Sequence, residues 1–230
     1  MESLFEVHHR LIGKENQKII QASNVTIVGV GGLGCAVAEN VVRLGVANVV
    51  LIDSGKIKTS NLQRQPLFNE NEVGQYKVQI AREKLSKFSS NTKIRIELDT
   101  FTSTNGKPML KQSDVVIDCT DNFTSRYAIS KIAKALNIPM IYGGVNGFEG
   151  QIGVFNYQGS KSFHEAFPNF EHLLESDNCK ASGVLPFVVQ IVGAMQVAEF
   201  YKICLDQNNV CNNILRCINI LTGNQRFITL

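Results

Sequence analysis

Residues 25–53 read VTIVGVGGLGCAVAENVVRLGVANVVLID, and the fold is decided there. An apolar run over 25–28 gives way to a glycine cluster of Gly29, Gly31, Gly32 and Gly34. A helix-like segment follows, stopped at Gly45 as a C-terminal cap glycine would stop it, and a second apolar run ends at Asp53. In a strand–glycine turn–helix unit the backbone approaches a phosphate closely, and the helix N-terminus offers unpaired N–H groups and a positive dipole end. The stretch predicts a nucleotide site with Asp53 on the ribose. It does not say which nucleotide, since dehydrogenases and ATP enzymes share the pattern, and a glycine turn used only for packing is the bland alternative.

Outward from this unit the chain keeps alternating. A polar helical lead-in punctuated at Gly13 occupies 1–24, and a long polar connection after Asp53 precedes a helix over about 76–88. Strands are predicted over 93–98, 115–118 and 139–142, with a helix over 123–136 between the last two. Strand–helix alternation implies a parallel sheet covered on both faces, with ligands gathering at the C-terminal strand edges, where Asp53, Asp118 and Asp121 would fall. Residues 150–157 alternate too soon after Tyr142 for a crossover helix, so the sheet turns antiparallel there. A polar segment over 159–183 is expected to be a mobile crossover loop, 185–204 a buried apolar helix, and 214–220 with 226–230 a closing hairpin. The reading is one domain over 1–230, α/β, Rossmann-like, mostly parallel with an antiparallel C-terminal extension.

Composition narrows the function. With 44% hydrophobic and 19% charged residues the chain buries a sizeable core. A net charge of +3 without a Lys/Arg run argues against nucleic acid. The N-terminus lacks a signal-like apolar stretch, and the longest uncharged run, 181–198, holds Pro186, Gln190 and Gln196, a poor membrane span. A cytoplasmic protein is expected. Six cysteines without a CxxC pair give no support for a zinc site. Five sit in apolar surroundings as small core hydrophobes, whereas Cys179 stands beside Lys180 in a polar setting suited to a thiolate.

The connection after Asp53 tips the balance toward a triphosphate. It carries Asn61, Leu62, Gln63, Arg64 and Gln65, and Lys77 opens the next helix. Two added cations are of little use to a dinucleotide held by backbone N–H groups, but a triphosphate needs charge where electrons shift between phosphates. Taken singly, Arg64 and Lys77 read as solvated surface residues; together with Asp121, a candidate magnesium ligand, they read as a site.

GVGGLG, Asp53, SNLQRQ, Lys77 and DCTDNFTSRY together resemble the ThiF/MoeB/HesA family, relatives of the ubiquitin-activating enzymes, and GQIGVF and NCKASGV extend the likeness. The resemblance implies an adenylyltransferase that uses ATP and magnesium on the C-terminal glycine carboxylate of a ubiquitin-fold sulfur carrier, ThiS-like or MoaD-like. It implies Gly32 in the phosphate loop, Asp53 on the ribose, and Ser60, Asn61, Leu62, Gln63, Arg64 and Lys77 on the phosphates. Asp121 would hold magnesium, with Asn122 beside it. A homodimer and a sulfur donor enzyme are the further partners implied. The NCKASGV cysteine, Cys179, tilts the expectation toward the thiamine thiazole branch, whose members use a matching cysteine in covalent sulfur chemistry. Molybdopterin synthesis is the alternative, and a nicotinamide dehydrogenase or a subunit without its own catalysis are the rivals from other classes.

Two departures from the family qualify the likeness. Where many bacterial members carry the first zinc-binding CxxC pair this chain has Ser162 to Phe167, so no structural zinc is expected. At the N-terminus only Arg10 matches the arginine that reaches a partner subunit's ATP, and His8 and His9 read as ordinary helix residues.

Overall fold

Register aligns the working end of the sheet. Val28 lies opposite Ile52 on one side and Asp118 on the other, and Asp118 lies opposite Tyr142. The chain segments that leave these four positions therefore emerge along one edge. The structure, a computed structural model, describes residues 4–168 and 183–230.

Among the described residues eight strands form one sheet: β1 (Asn24–Val28), β2 (Asn48–Ile52), β3 (Lys93–Glu97), β4 (Val115–Asp118), β5 (Met140–Asn146), β6 (Glu149–Phe155), β7 (Ile214–Asn219) and β8 (Gln225–Thr229). Their order is β3-β2-β1-β4-β5-β6-β7-β8. The first five are parallel, and β5 to β8 run antiparallel in turn. The chain builds outward from β1 to β3, then returns to add β4 on the other side of β1. That reversal opens a crevice at the strand ends between β1 and β4.

Helices are α1 (Glu6–Ala22), α2 (Gly32–Arg43), α3 (Lys77–Ser86), α4 (Gly106–Leu110), α5 (Phe123–Leu136), α6 (Phe163–Ala166) and α7 (Pro186–Cys204). One face of the sheet packs on α2, α3 and α7 through Val37, Val41, Leu51, Ile117, Val192 and Phe200. The other packs on α4, α5 and α6 through Ile129, Ile132, Met140 and Phe155. On length and composition alone α7 is apolar enough to cross a bilayer. Val189, Val192, Val197 and Phe200 bury it in the first of these cores instead.

The expected elements are present, with three refinements. The lead-in helix breaks at Gly13, whose φ of 78° and ψ of 162° fold its first half back so that His8 meets Gln17. The strand expected over 139–142 runs on to Asn146, because a glycine-rich YGGVN sequence hides its extended half. The segment expected to be a mobile loop begins as α6, capped by Ser162 and Glu165, with Phe163 stacked on Tyr142, Phe155 and Phe167. Its remainder, 169–182 with Cys179, lies outside the described residues.

Candidate functional site

A cavity of about 740 Å³ opens at the β1–β4 crevice. Gly29, Gly31, Gly32, Asp53, Asn61, Arg64, Lys77, Asp121 and Asn122 all line it. Nine of the positions expected from sequence thus converge from three separate strand ends and the long connection.

The glycine turn supplies the floor. Gly29 adopts a φ of 92°, and a Cβ there would lie 2.7 Å from the Cys119 carbonyl oxygen. Gly34 does not line the cavity; a Cβ on it would overlap the Gly29 carbonyl oxygen, so its role is to let α2 close on the turn. The helix starts at Gly32 without a side-chain cap, which leaves its first N–H groups facing the cavity end without intrahelical partners.

Asp53 fixes the turn from β2. Its Oδ2 accepts from Val30 N at 2.8 Å and its Oδ1 from Gly55 N at 2.6 Å. Lys77 Nζ stands 3.8 Å from the same Oδ2, with 15% of its side chain exposed. Arg64 reaches the cavity from the long connection, where a 3-10 turn at Thr59–Asn61 bends the chain, and its Nη1 donates to the Ser60 carbonyl at 2.9 Å. Ser60, Leu62 and Gln63 were expected on the phosphates but do not line the cavity. Leu62 packs against the core instead and anchors the turn. Arg10 is on α1, 72% exposed and paired with Glu6, and does not line this chain's own cavity.

Among the described residues four carboxylates border the cavity, and three are already engaged. Asp53 is held as above, Asp99 accepts from Thr100 N and Asn105 Nδ2, and Glu149 accepts from Asn219 Nδ2. Asp121 is exposed and has no hydrogen bond or ion pair among the described residues. Its neighbour Asn122 caps α5, its Oδ1 accepting from Ser125 N at 2.9 Å.

The two acids of DCTD therefore separate. Asp118, expected at the site with Asp121, is fully buried and paired with Arg126, whose Nε donates to its Oδ2 at 2.8 Å. Arg126 was not singled out in the sequence, yet it borders the cavity and packs its guanidinium 4.6 Å from the Tyr142 ring centroid. Burial works most strongly against its charge, but Asp118, Tyr142 and Asp121 together outweigh burial, and the pKa lies above the usual arginine value. Removing one partner of such a pair typically costs about 3–5 kcal/mol, because the other charge stays buried. Gln65 was also passed over. It borders the cavity at 3% exposure, and its Oε1 is buried without a hydrogen-bond partner among the described residues.

Burial raises the thiol pKa of all five described cysteines: Cys35 to about 12, Cys204 and Cys211 to about 11, and Cys119 and Cys217 upward as well. Thiolates, not thiols, react with alkylating agents. Limited iodoacetamide at neutral pH, read by peptide mass mapping, should therefore modify Cys179 before any of these five. First reaction at Cys35 or Cys119 would contradict this account of the core.

The sequence profile described as the ThiF family matches residues 6–230. The chain belongs to the ThiF family. Among curated ThiF relatives, a "probable molybdopterin-synthase adenylyltransferase" of Porphyra purpurea is 35% identical over 209 residues, covering 90% of this chain and 55% of the relative. An "adenylyltransferase and sulfurtransferase MOCS3" of Culex quinquefasciatus is 32% identical over 204 residues, covering 89% of this chain and 47% of the relative. The chain thus spans about half the length of these relatives. In fold it matches the E. coli MccB structure with MccA-N7isoASN at a TM-score of 0.87 and 19% identity, over 100% of this chain and 72% of that one. The PaaA structure matches at 0.81 and 20% identity, over 94% of this chain and 75% of that one.

Proposed function

We propose that this ThiF-family chain adenylates the C-terminal carboxylate of a ubiquitin-fold sulfur carrier with ATP. The observation that carries the reading is the convergence of Arg64, Lys77 and an unengaged Asp121 on the open end of the glycine turn. A dinucleotide would use the turn and Asp53 but has no need of those three. The walls suit a nucleotide: a Cβ on Gly31 would meet only Gln65 Nε2, at 3.8 Å, so the turn lies open to the cavity. The orphaned Gln65 Oε1 likewise calls for a donor from a ligand or water.

The chain's contribution is position and charge. N–H groups at the start of α2 receive phosphate oxygens, and Asp53 takes the ribose with the lone pairs that Val30 and Gly55 leave free. A carrier carboxylate oxygen bonds to the α-phosphorus as the α–β bridging bond breaks, giving acyl-adenylate and pyrophosphate. Arg64 and Lys77 offset the charge that moves onto the pyrophosphate. Magnesium fits the donor set, since it takes one or two carboxylates and completes its shell with phosphates and water. Asp121 would hold it, and the ion would supply charge neutralisation between the phosphates.

The relatives' names favour the molybdopterin branch over the thiamine branch expected from Cys179. We therefore take the carrier to be MoaD-like. A homodimer is part of the proposal. Leu4, in the turn before α1, and Val7 and Leu11 on the half-helix that carries Arg10 are 69%, 72% and 86% exposed, an apolar stripe suited to a second copy. Arg10 would then serve the partner's cavity. Cys179 remains the proposed thiol for sulfur chemistry that follows adenylation.

The test is pyrophosphate exchange into ATP with MoaD-like or ThiS-like carrier added. Exchange with the MoaD-like protein supports the proposal; exchange only with the ThiS-like one reverses the choice of branch, and none with either refutes the activity. Arg64→Ala should lower the exchange rate about 100-fold, the usual cost of removing one preorganised charged donor. A rate within about threefold of wild type would remove Arg64 from the phosphate site.

A further inference from the structure

We infer that Arg126 is a positioning residue that locks the β4–α5 turn so that the Asp121 carboxylate is presented to the nucleotide's metal. The inference rests on the proposed ATP reading and goes beyond it by assigning the buried pair behind the site. The turn comprises Cys119, Thr120, Asp121 and Asn122, and all but one of its residues is tied down. Cys119 N donates to the Val28 carbonyl at 2.9 Å, joining the turn to β1. Thr120 gives its N–H and its hydroxyl to Asp118 Oδ1, at 2.9 and 2.6 Å. Asn122 is held by its cap on α5.

Arg126 connects these ties. From the first turn of α5 its Nε holds Asp118 Oδ2, and its Nη2 donates to the Thr120 carbonyl at 2.7 Å and to the Gly143 carbonyl of β5 at 3.4 Å. One guanidinium thus joins the end of β4, the turn, α5 and β5. Asp118 is used on both oxygens and fully buried, so it is a strut and not a second metal ligand. Gln196 of α7 closes the back by donating to the Asp118 carbonyl at 2.8 Å. Of the turn residues that line the cavity, Asp121 is the one whose side chain has no hydrogen bond among the described residues. A buried ion pair kept only for stability would not need to grip the carbonyl next to the ligand residue. Groups that orient a metal ligand typically change metal affinity about 10- to 100-fold when removed.

The experiment compares the wild-type protein with Arg126→Gln and Thr120→Val, using Mn²⁺ as a paramagnetic probe and a non-hydrolysable ATP analogue. Wild type should bind one Mn²⁺ per chain in the presence of the analogue. R126Q should bind it about 10- to 100-fold more weakly, while its affinity for the metal-free analogue stays within about twofold. T120V, which removes one hydroxyl bond and keeps the shape, should weaken Mn²⁺ binding at least about threefold. Should R126Q fail to fold, T120V alone decides. Unchanged Mn²⁺ affinity in T120V or in folded R126Q overturns the inference. So does an equal loss of Mn²⁺ and metal-free nucleotide binding, the mark of a merely structural role. A wild-type protein that binds no Mn²⁺ with the analogue overturns the ATP reading as well, which separates the two failures.

Discussion

Asp121→Ala is expected to abolish carrier-dependent pyrophosphate exchange, with a loss of about 1000-fold or more, while leaving the fold intact. The size follows from what the side chain is asked to do. A metal that neutralises a transferring phosphate contributes several kcal/mol to the barrier, and each 1.4 kcal/mol or so is a factor of ten in rate. Among the described residues the other three cavity carboxylates are held by Val30, Gly55, Thr100, Asn105 and Asn219, so none of these is free to take over. The fold should be spared because Asp121 makes no hydrogen bond among the described residues, and its removal orphans nothing. Surface substitutions of that kind usually stay within about 0.5 kcal/mol. The checks are the exchange rate at saturating magnesium and a melting curve. A variant that exchanges within about threefold of wild type would end the metal assignment, and with it the strongest link from geometry to adenylation.

How much of this was legible in the sequence depends on how local the signal is. The β1–α2–β2 unit could be read because its apolar runs, its glycines and Asp53 are consecutive. The convergence of Arg64, Lys77 and Asp121 could be suspected from the charge a triphosphate needs, and family likeness strengthened it, but the path of the chain could not be read. No periodicity says that a polar connection of that length folds back over the glycine turn. The likeness picked Asp121 as the magnesium ligand, but the burial of Asp118 against Arg126 was not legible. Asp118 ends β4 and Asp121 lies three residues beyond it, and Asp118 is held in the interior by Arg126, eight residues on, whose reach back depends on where α5 starts. The short helices α4 and α6 escaped for a simpler reason. Five and four residues are too few to show a 3.6-residue period. Arg10 illustrates the opposite case, a position matched by motif whose own cavity does not contain it, so that its proposed role needs a second chain.

Gly34→Ala and Gly31→Ala should fail in opposite ways, which makes the pair a test of whether the glycine turn is scaffold or site. At Gly34 a methyl group would overlap the Gly29 carbonyl oxygen and approach Cys119 Cβ at 3.5 Å, so α2 must move off the turn. Overpacking of this kind costs about 1–3 kcal/mol, and here the obstacle is backbone, which cannot rotate away. For a chain of this size that corresponds to a fall in melting temperature of about 2–12 °C. At Gly31 the same methyl group would meet only the Gln65 amide nitrogen at 3.8 Å, an ordinary contact, so the melting temperature should fall by less than about 3 °C. What the methyl group occupies is the space over the N-terminus of α2 where a phosphate would sit. Gly31→Ala should therefore weaken ATP binding about tenfold or more in a protein that melts almost normally, since one misplaced phosphate contact of 1.4 kcal/mol or so is worth that factor. Unaltered ATP affinity in Gly31→Ala would mean that the phosphates lie elsewhere in the cavity. An unaltered melting curve in Gly34→Ala would mean that α2 does not rest on the turn as closely as the Gly29 carbonyl requires.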